Sequence, residues 1–251
     1  MRLIYFQSPR PNFGDDLNAV LWPALAPELF AEDDGAEGFL GIGTIVGMPT
    51  PGADFLHVFS SGVGYDPVER WRTPRELWCV RGPLSAKALG APAETALTDG
   101  AILTGRLLDG EAEPERAGVA VVPHWESLLE PGWEEACAAA GFDLVSPMQE
   151  PLTVVRALRR ARLVVTESLH GAILADALGV PWVAFGTSGN FSVFKWKDWT
   201  ASVGTALCPV AVPPPSSGAW RRYGRIRFAA PGERPVLDED AAWADYRARA
   251  G

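Results

Sequence analysis

The chain has 251 residues, enough to bury one large core or two modest ones, and its 47% hydrophobic and 21% charged residues are those of a soluble globular protein. A formal net charge of -9 speaks against broad nucleic-acid binding, and no apolar run is long enough to span a bilayer. Cys79, Cys137 and Cys208 are odd in number, widely spaced and lack a Cys-x-x-Cys pair, which argues against a disulfide framework or zinc knuckle and for a reducing cytoplasm.

From the N-terminus, residues 3–6 read as a first strand, too short for a secretory signal. The loop Asn12-Phe-Gly-Asp-Asp-Leu-Asn18 leads into a helix over 15–22; Gly14 permits a tight turn, and Asp15 or Asp16 can cap the helix. Capping accounts for one aspartate, and a substrate-binding role for Asn12, Asp15 and Asn18 stands beside it. Strands over 39–42 and 56–59 end in glycine loops, Gly41-Ile-Gly-Thr-Ile-Val-Gly47 and Ser60-Ser-Gly-Val-Gly64, whose spacing departs from a dinucleotide fingerprint. His57, inside the second strand, reads as a core or edge residue. A strand over 77–80 runs into Arg81-Gly-Pro-Leu-Ser85 and a helix over 83–89, opened by Pro83 and closed by Gly90. Arg81 there offers a planar fork to a carboxylate or phosphate, with a surface salt bridge as the alternative.

The polar stretch 109–118 has the composition of a linker and divides the strands into two groups. After it come a strand over 119–122 followed by His124, a helix over 133–140 closed by Gly141, and a strand over 142–145. A helix over 152–161 places Arg156, Arg159 and Arg160, with Arg162 just beyond, on a solvent face opposite Leu152, Val155 and Leu158. Residues 163–166 form a β-branched strand, 171–178 a helix stopped by Gly179 and Pro181, and 182–185 the next strand. A Pro-rich run and a helix over 238–249 end the chain. This alternation predicts an α/β fold with mainly parallel sheets. It divides into two Rossmann-like domains facing a cleft, residues 1–110 and 118–205, with 206–251 as a tail that packs back on the first.

His170 stands between the strand over 163–166 and its helix. Ligands collect at such strand ends, where the helix presents free backbone amides, so an imidazole there can meet an anion and move a proton. His124 ends another strand of the same group, which strengthens the case for a site. Ser168 sits in no nucleophile elbow, no Walker loop or His-Glu-x-x-His occurs, and no cluster has metal-ligand spacing.

Five segments in collinear order, Asn12 to Asn18, Arg81 to Ser85, Thr98-Asp-Gly-Ala101, Val121-Val-Pro-His124 and Ser168-Leu-His-Gly171, resemble the polysaccharide pyruvyl transferase family. Phe194-Lys-Trp-Lys-Asp-Trp199 is similar to its exopolysaccharide branch, of the succinoglycan and xanthan type. The resemblance implies a GT-B-like fold, phosphoenolpyruvate as donor, no cofactor or metal, and a sugar acceptor carrying a pyruvate ketal across two hydroxyls after release of phosphate. By it, His170 is the proton donor, an imidazole held near neutral pKa, and Asp15 is a base or binder for the acceptor hydroxyl. Arg81 becomes a ligand of the donor anion, while Lys195 and Lys197 hold donor phosphate or an acceptor diphosphate. Asn12, Gly14, Asn18, Ser85, His124, Ser168 and Gly171 complete the expected substrate-binding set. A lipid-linked oligosaccharide acceptor implies peripheral contact with the inner face of the cytoplasmic membrane, without nucleic acid; the oligomeric state is not legible. The family pattern has arginine where Ser168 stands and Asp-Pro where Asp99-Gly100 stands. Two other readings remain: a nucleotide-sugar glycosyltransferase on the same fold, and a non-catalytic carbohydrate-binding relative, which the missing arginine favours.

Overall fold

A computed structural model describes residues 1–32, 35–187 and 191–217. They form two separate sheets, every strand pair in them parallel. The first contains β1 (Arg2–Ile4), β2 (Glu37–Leu40), β3 (Phe55–Phe59) and β4 (Arg75–Cys79), in that order. The second is ordered β6 (Asp143–Leu144), β5 (Ala117–Val122), β7 (Ala161–Thr166), β8 (Trp182–Gly186) and β9 (Val210–Ala211). The central pair β5 and β7 ends in Val-Ala-Val-Val and Val-Val-Thr runs buried on both faces, as strands covered by helices on each side must be.

The helices are α1 (Phe13–Leu25), α2 (Pro27–Phe30), α3 (Pro83–Leu89), α4 (Trp133–Ala140), α5 (Pro151–Arg160), α6 (Leu169–Ala177) and α7 (Val193–Ser202). Proline opens α3 and α5, where its missing amide costs nothing, and Gly90 and Gly141 close α3 and α4 in the left-handed region. Glu150 caps α5 by accepting from the Leu152 and Thr153 amides. Its residue Arg159 is buried rather than solvent-facing, and pins the expected linker through Glu111 and Glu113. One apolar cluster joins Phe13, Leu17 and Leu21 of α1 to Val154 and Leu158 of α5 and Ile173 and Leu174 of α6, and so ties the two sheets together.

After β8 the chain returns to the first sheet's side: α7 packs against α3, and Phe194 enters the cluster of Leu40, Leu56 and Val58. Residues 210–215 depart from expectation. Val210–Ala211 extends the second sheet as β9, and Pro215 lies against Gly132 at the start of α4, so this part of the tail packs on the second unit. The expected helix over 238–249 lies outside the described residues. Among those residues, no helix is long and apolar enough to cross a membrane.

Candidate functional site

Because every strand is parallel, the carboxyl ends of each sheet fall on one edge, and loops from both edges meet in a cleft of about 490 Å³. Phe6, Asn12 and Asp15 enter it after β1, Thr44, Ile45 and Met48 after β2, and Tyr65 and Asp66 after β3. The second sheet supplies His124, Trp125 and Glu126 after β5, and Ser168, Leu169 and His170 after β7; Lys195 of α7 completes the wall. This is the strand-end crevice where open α/β sheets bind ligands.

Two helix N-termini converge here. Asn12 is the N-cap of α1: its Oδ1 accepts from the Gly14 amide at 3.3 Å, while its Nδ2 donates to Asp15 Oδ2 at 2.6 Å. Ser168 is the N-cap of α6, its hydroxyl accepting from the Gly171 amide at 3.4 Å, and among the described residues the Leu169 and His170 amides of that first turn have no hydrogen-bond acceptor. Gly14 lies behind the imidazole of His170. A Cβ there would lie 2.6 Å from His170 Cγ and nearer still to Nδ1, so the histidine ring occupies the space a side chain would fill. Gly171 is likewise a packing residue, since its Cβ would land on Thr166 Oγ1.

Burial dominates the electrostatics. It pushes the Asp15 carboxyl up to about 6, with Lys195 and the Asn12 amide pulling the other way. Desolvation pushes His124 down to about 4 and His170 down to about 3, and Lys195 lowers both further. His170 is thus held as the neutral imidazole, which departs from the expectation of a ring with near-neutral pKa. Lys195 reaches across to Tyr65, with its ammonium both against the phenol hydroxyl and over the ring at 4.3 Å.

Several expected binding residues lie elsewhere. Arg81 is fully buried, and its donors go to Asp198 Oδ2 at 3.0 Å, Thr44 Oγ1 at 2.8 Å and the Val63 carbonyl at 2.8 Å. It is a strut between the β4 loop and α7, touching the cleft only through Thr44. Ser85 belongs to the same strut, donating to Asp198 Oδ2 at 2.5 Å and accepting from the Val63 amide. Asn18 spends its amide on Asp15 and Ile42 carbonyls and its oxygen on the Ile42 amide and the Trp22 indole, clamping α1 to β2. Lys197 does not line the cleft: two residues along a helix from Lys195, it points to another side.

Other residues escaped sequence reasoning. Glu167 is buried and gathers two strand-end loops, accepting from the His124 amide at 3.2 Å and from the Thr187 amide and hydroxyl. Asp99 is fully buried, caps the 3-10 turn Gly100–Leu108 through Oδ1, and brings Oδ2 to 4.0 Å from His170 Nε2. Nothing local signals either contact. Among the described residues, no group of three or more His, Cys, Asp or Glu side chains could hold a metal ion.

Two parallel α/β units thus meet at a strand-end cleft lined by a carboxylate, two imidazoles and a lysine, the polar groups of an α/β ligand-binding site. The polysaccharide pyruvyl transferase profile matches residues 118–189. The chain is 37% identical over 216 residues to the succinoglycan biosynthesis protein ExoV of Rhizobium meliloti (strain 1021), covering 85% of this chain and 68% of that protein. It therefore belongs to the polysaccharide pyruvyl transferase family, and is a transferase. The spinosyn rhamnosyltransferase SpnG superposes over 98% of this chain and 81% of its own with a TM-score of 0.37 and 17% identity.

Proposed function

We propose that the chain transfers the enolpyruvyl group of phosphoenolpyruvate to a sugar of an exopolysaccharide repeat unit and closes it into a ketal across two hydroxyls. The observation that carries the reading is one cleft in which the α6 N-terminus and His170 of the second unit meet Asp15 and Lys195. Donor phosphate and carboxylate suit the open amides of α6 and the Lys195 ammonium, with no arginine needed at position 168. Burial first, and then the Lys195 and Arg81 charges, keep His170 uncharged; a bound anion offsets those charges, so the imidazole takes up its proton with the donor bound.

His170 then protonates the methylene carbon while Asp15 accepts the proton of the attacking hydroxyl. Phosphate leaves, and the second hydroxyl adds to the same carbon and closes the ring, its proton going to the departing phosphate. Phe6, Tyr65 and Trp125 at the cleft mouth supply faces on which a sugar ring stacks. A lipid-linked oligosaccharide acceptor puts the reaction at the cytoplasmic face of the membrane. Incubation with phosphoenolpyruvate and candidate glycosides tests the reading: it requires phosphate release matched by a product of pyruvate-ketal mass. Stabilisation by uridine diphosphate sugars and not by phosphoenolpyruvate in a thermal shift assay would favour the glycosyltransferase reading instead.

A further inference from the structure

We propose that Asp99 is the positioning partner of His170, its Oδ2 accepting the imidazole Nε2–H so that Nδ1 is the nitrogen that exchanges a proton in the cleft. This rests on the reading of His170 as proton donor. Asp99 Oδ2 and His170 Nε2 are both buried, and neither has a hydrogen-bond partner among the described residues. They face each other at 4.0 Å, while the other carboxylate oxygen is held in place by the Ala101 amide at 3.0 Å. An unpaired buried polar atom is costly, and here a ring movement of roughly 1 Å brings the pair to hydrogen-bond distance and satisfies both.

With Nε2 buried against Asp99, Nδ1, on the other side of Cε1, lies beside Gly14 at the first turn of α1. Long contacts of this kind tighten when substrate binds. The charges around the pair are Arg81 after β4, Lys195 and Asp198 of α7, and Asp15 of α1. A donor anion beside Lys195 lets the ring become imidazolium, and Asp99 then holds its Nε2–H. In the transfer step the Nδ1–H bond breaks as the alkene electron pair forms the new C–H bond. The imidazole becomes neutral with Nε2–H still on Asp99, and the positive charge passes to the adjacent carbon, where the sugar oxygen adds. Asp99 remains a carboxylate throughout.

The chain has three histidines, so His57→Gln and His124→Gln identify the His170 ring in a nitrogen-15 spectrum of the full protein. The expected result is a neutral Nε2–H tautomer in the free protein and a charged ring with phosphoenolpyruvate added. Asp99→Asn should lower kcat roughly 100-fold while the KM for phosphoenolpyruvate stays within about threefold, and should lower the pH at which His170 charges in the complex. A His170 ring protonated at Nδ1 with bare Nε2 would overturn the proposal, and that measurement needs no variant. Wild-type kcat and titration in Asp99→Asn would overturn it equally. If the wild type neither binds nor consumes phosphoenolpyruvate, the functional reading fails, while the tautomer still decides the pairing.

Discussion

Replacing Gly14 by alanine puts a methyl group into space that His170 fills. The new carbon would stand 2.6 Å from His170 Cγ and 2.9 Å from its Cβ. Ordinary van der Waals contact begins at 3.4 Å and Nδ1 is nearer than Cγ, so the ring must retreat by more than about 0.8 Å. Gly14 has ordinary helical backbone in the first turn of α1, so alanine gains up to about 1 kcal/mol of helix propensity against roughly 1–3 kcal/mol of overpacking. The variant should therefore fold, at a net cost of no more than about 3 kcal/mol. A ring misplaced by about 1 Å costs on the order of 100-fold in rate. The assay is phosphate release from phosphoenolpyruvate with an active acceptor, beside a melting curve. Gly105→Ala serves as control, because its nearest foreign atom would be 3.9 Å away. Wild-type kcat in a folded Gly14→Ala protein would refute the placement of His170 at the reacting centre.

Arg81→Met should destabilise the protein by about 3–5 kcal/mol in urea titration, since it strands the buried Asp198 carboxylate; a loss of phosphoenolpyruvate affinity at unchanged stability would restore Arg81 as an anion ligand. Lys195→Met should raise the KM for phosphoenolpyruvate about tenfold, and Lys197→Met should leave it unchanged, as steady-state kinetics will show. Asp15, raised by burial to about 6, must be ionised to act as a base, so activity is present above that pH and falls as pH drops through it; Asp99, raised to about 6 as well, shares this acidic limb. Both carboxyls have folded pKa values above the 3.8 of an ordinary carboxyl, so they cost stability as pH rises from about 4 to 6. His124 and His170, both lowered, cost stability as pH falls below 6.5, and urea titrations of His170→Gln should show stability rising more on acidification than in the wild type.

Sequence periodicity located the frame well because its signals are local. Proline and glycine punctuate α3 within seven residues, and the β-branched run of β7 leads straight into Ser168 and His170. Helix α7 was less legible: Phe194, Trp196, Asp198 and Trp199 are all buried, so the helix has no wet stripe to mark its period. The family resemblance implies two ligand-binding lysines here, whereas residues two apart on a helix point to different sides and Lys195 alone lines the cleft. Strand β9, two residues long, carries no pattern at all. The assignments that failed depended on distant partners. Arg81 looked like an anion fork until Asp198, 117 residues away, took its guanidinium. Asn18 looked like part of a ligand cluster with Asn12 and Asp15, but one turn along α1 it faces the β2 loop. Asp99 was visible as a motif residue, while its approach to His170 exists only once α6 and the Gly100–Leu108 turn pack together.

The central claim is that His170 hands a proton to the donor's methylene carbon within this cleft. Its most direct test is the rate of phosphate release from phosphoenolpyruvate in the presence of an active sugar acceptor, for wild type and His170→Gln at equal folded fraction. The account predicts a loss of roughly 100- to 10,000-fold in kcat, with donor binding retained. Turnover of the variant at the wild-type rate would contradict it.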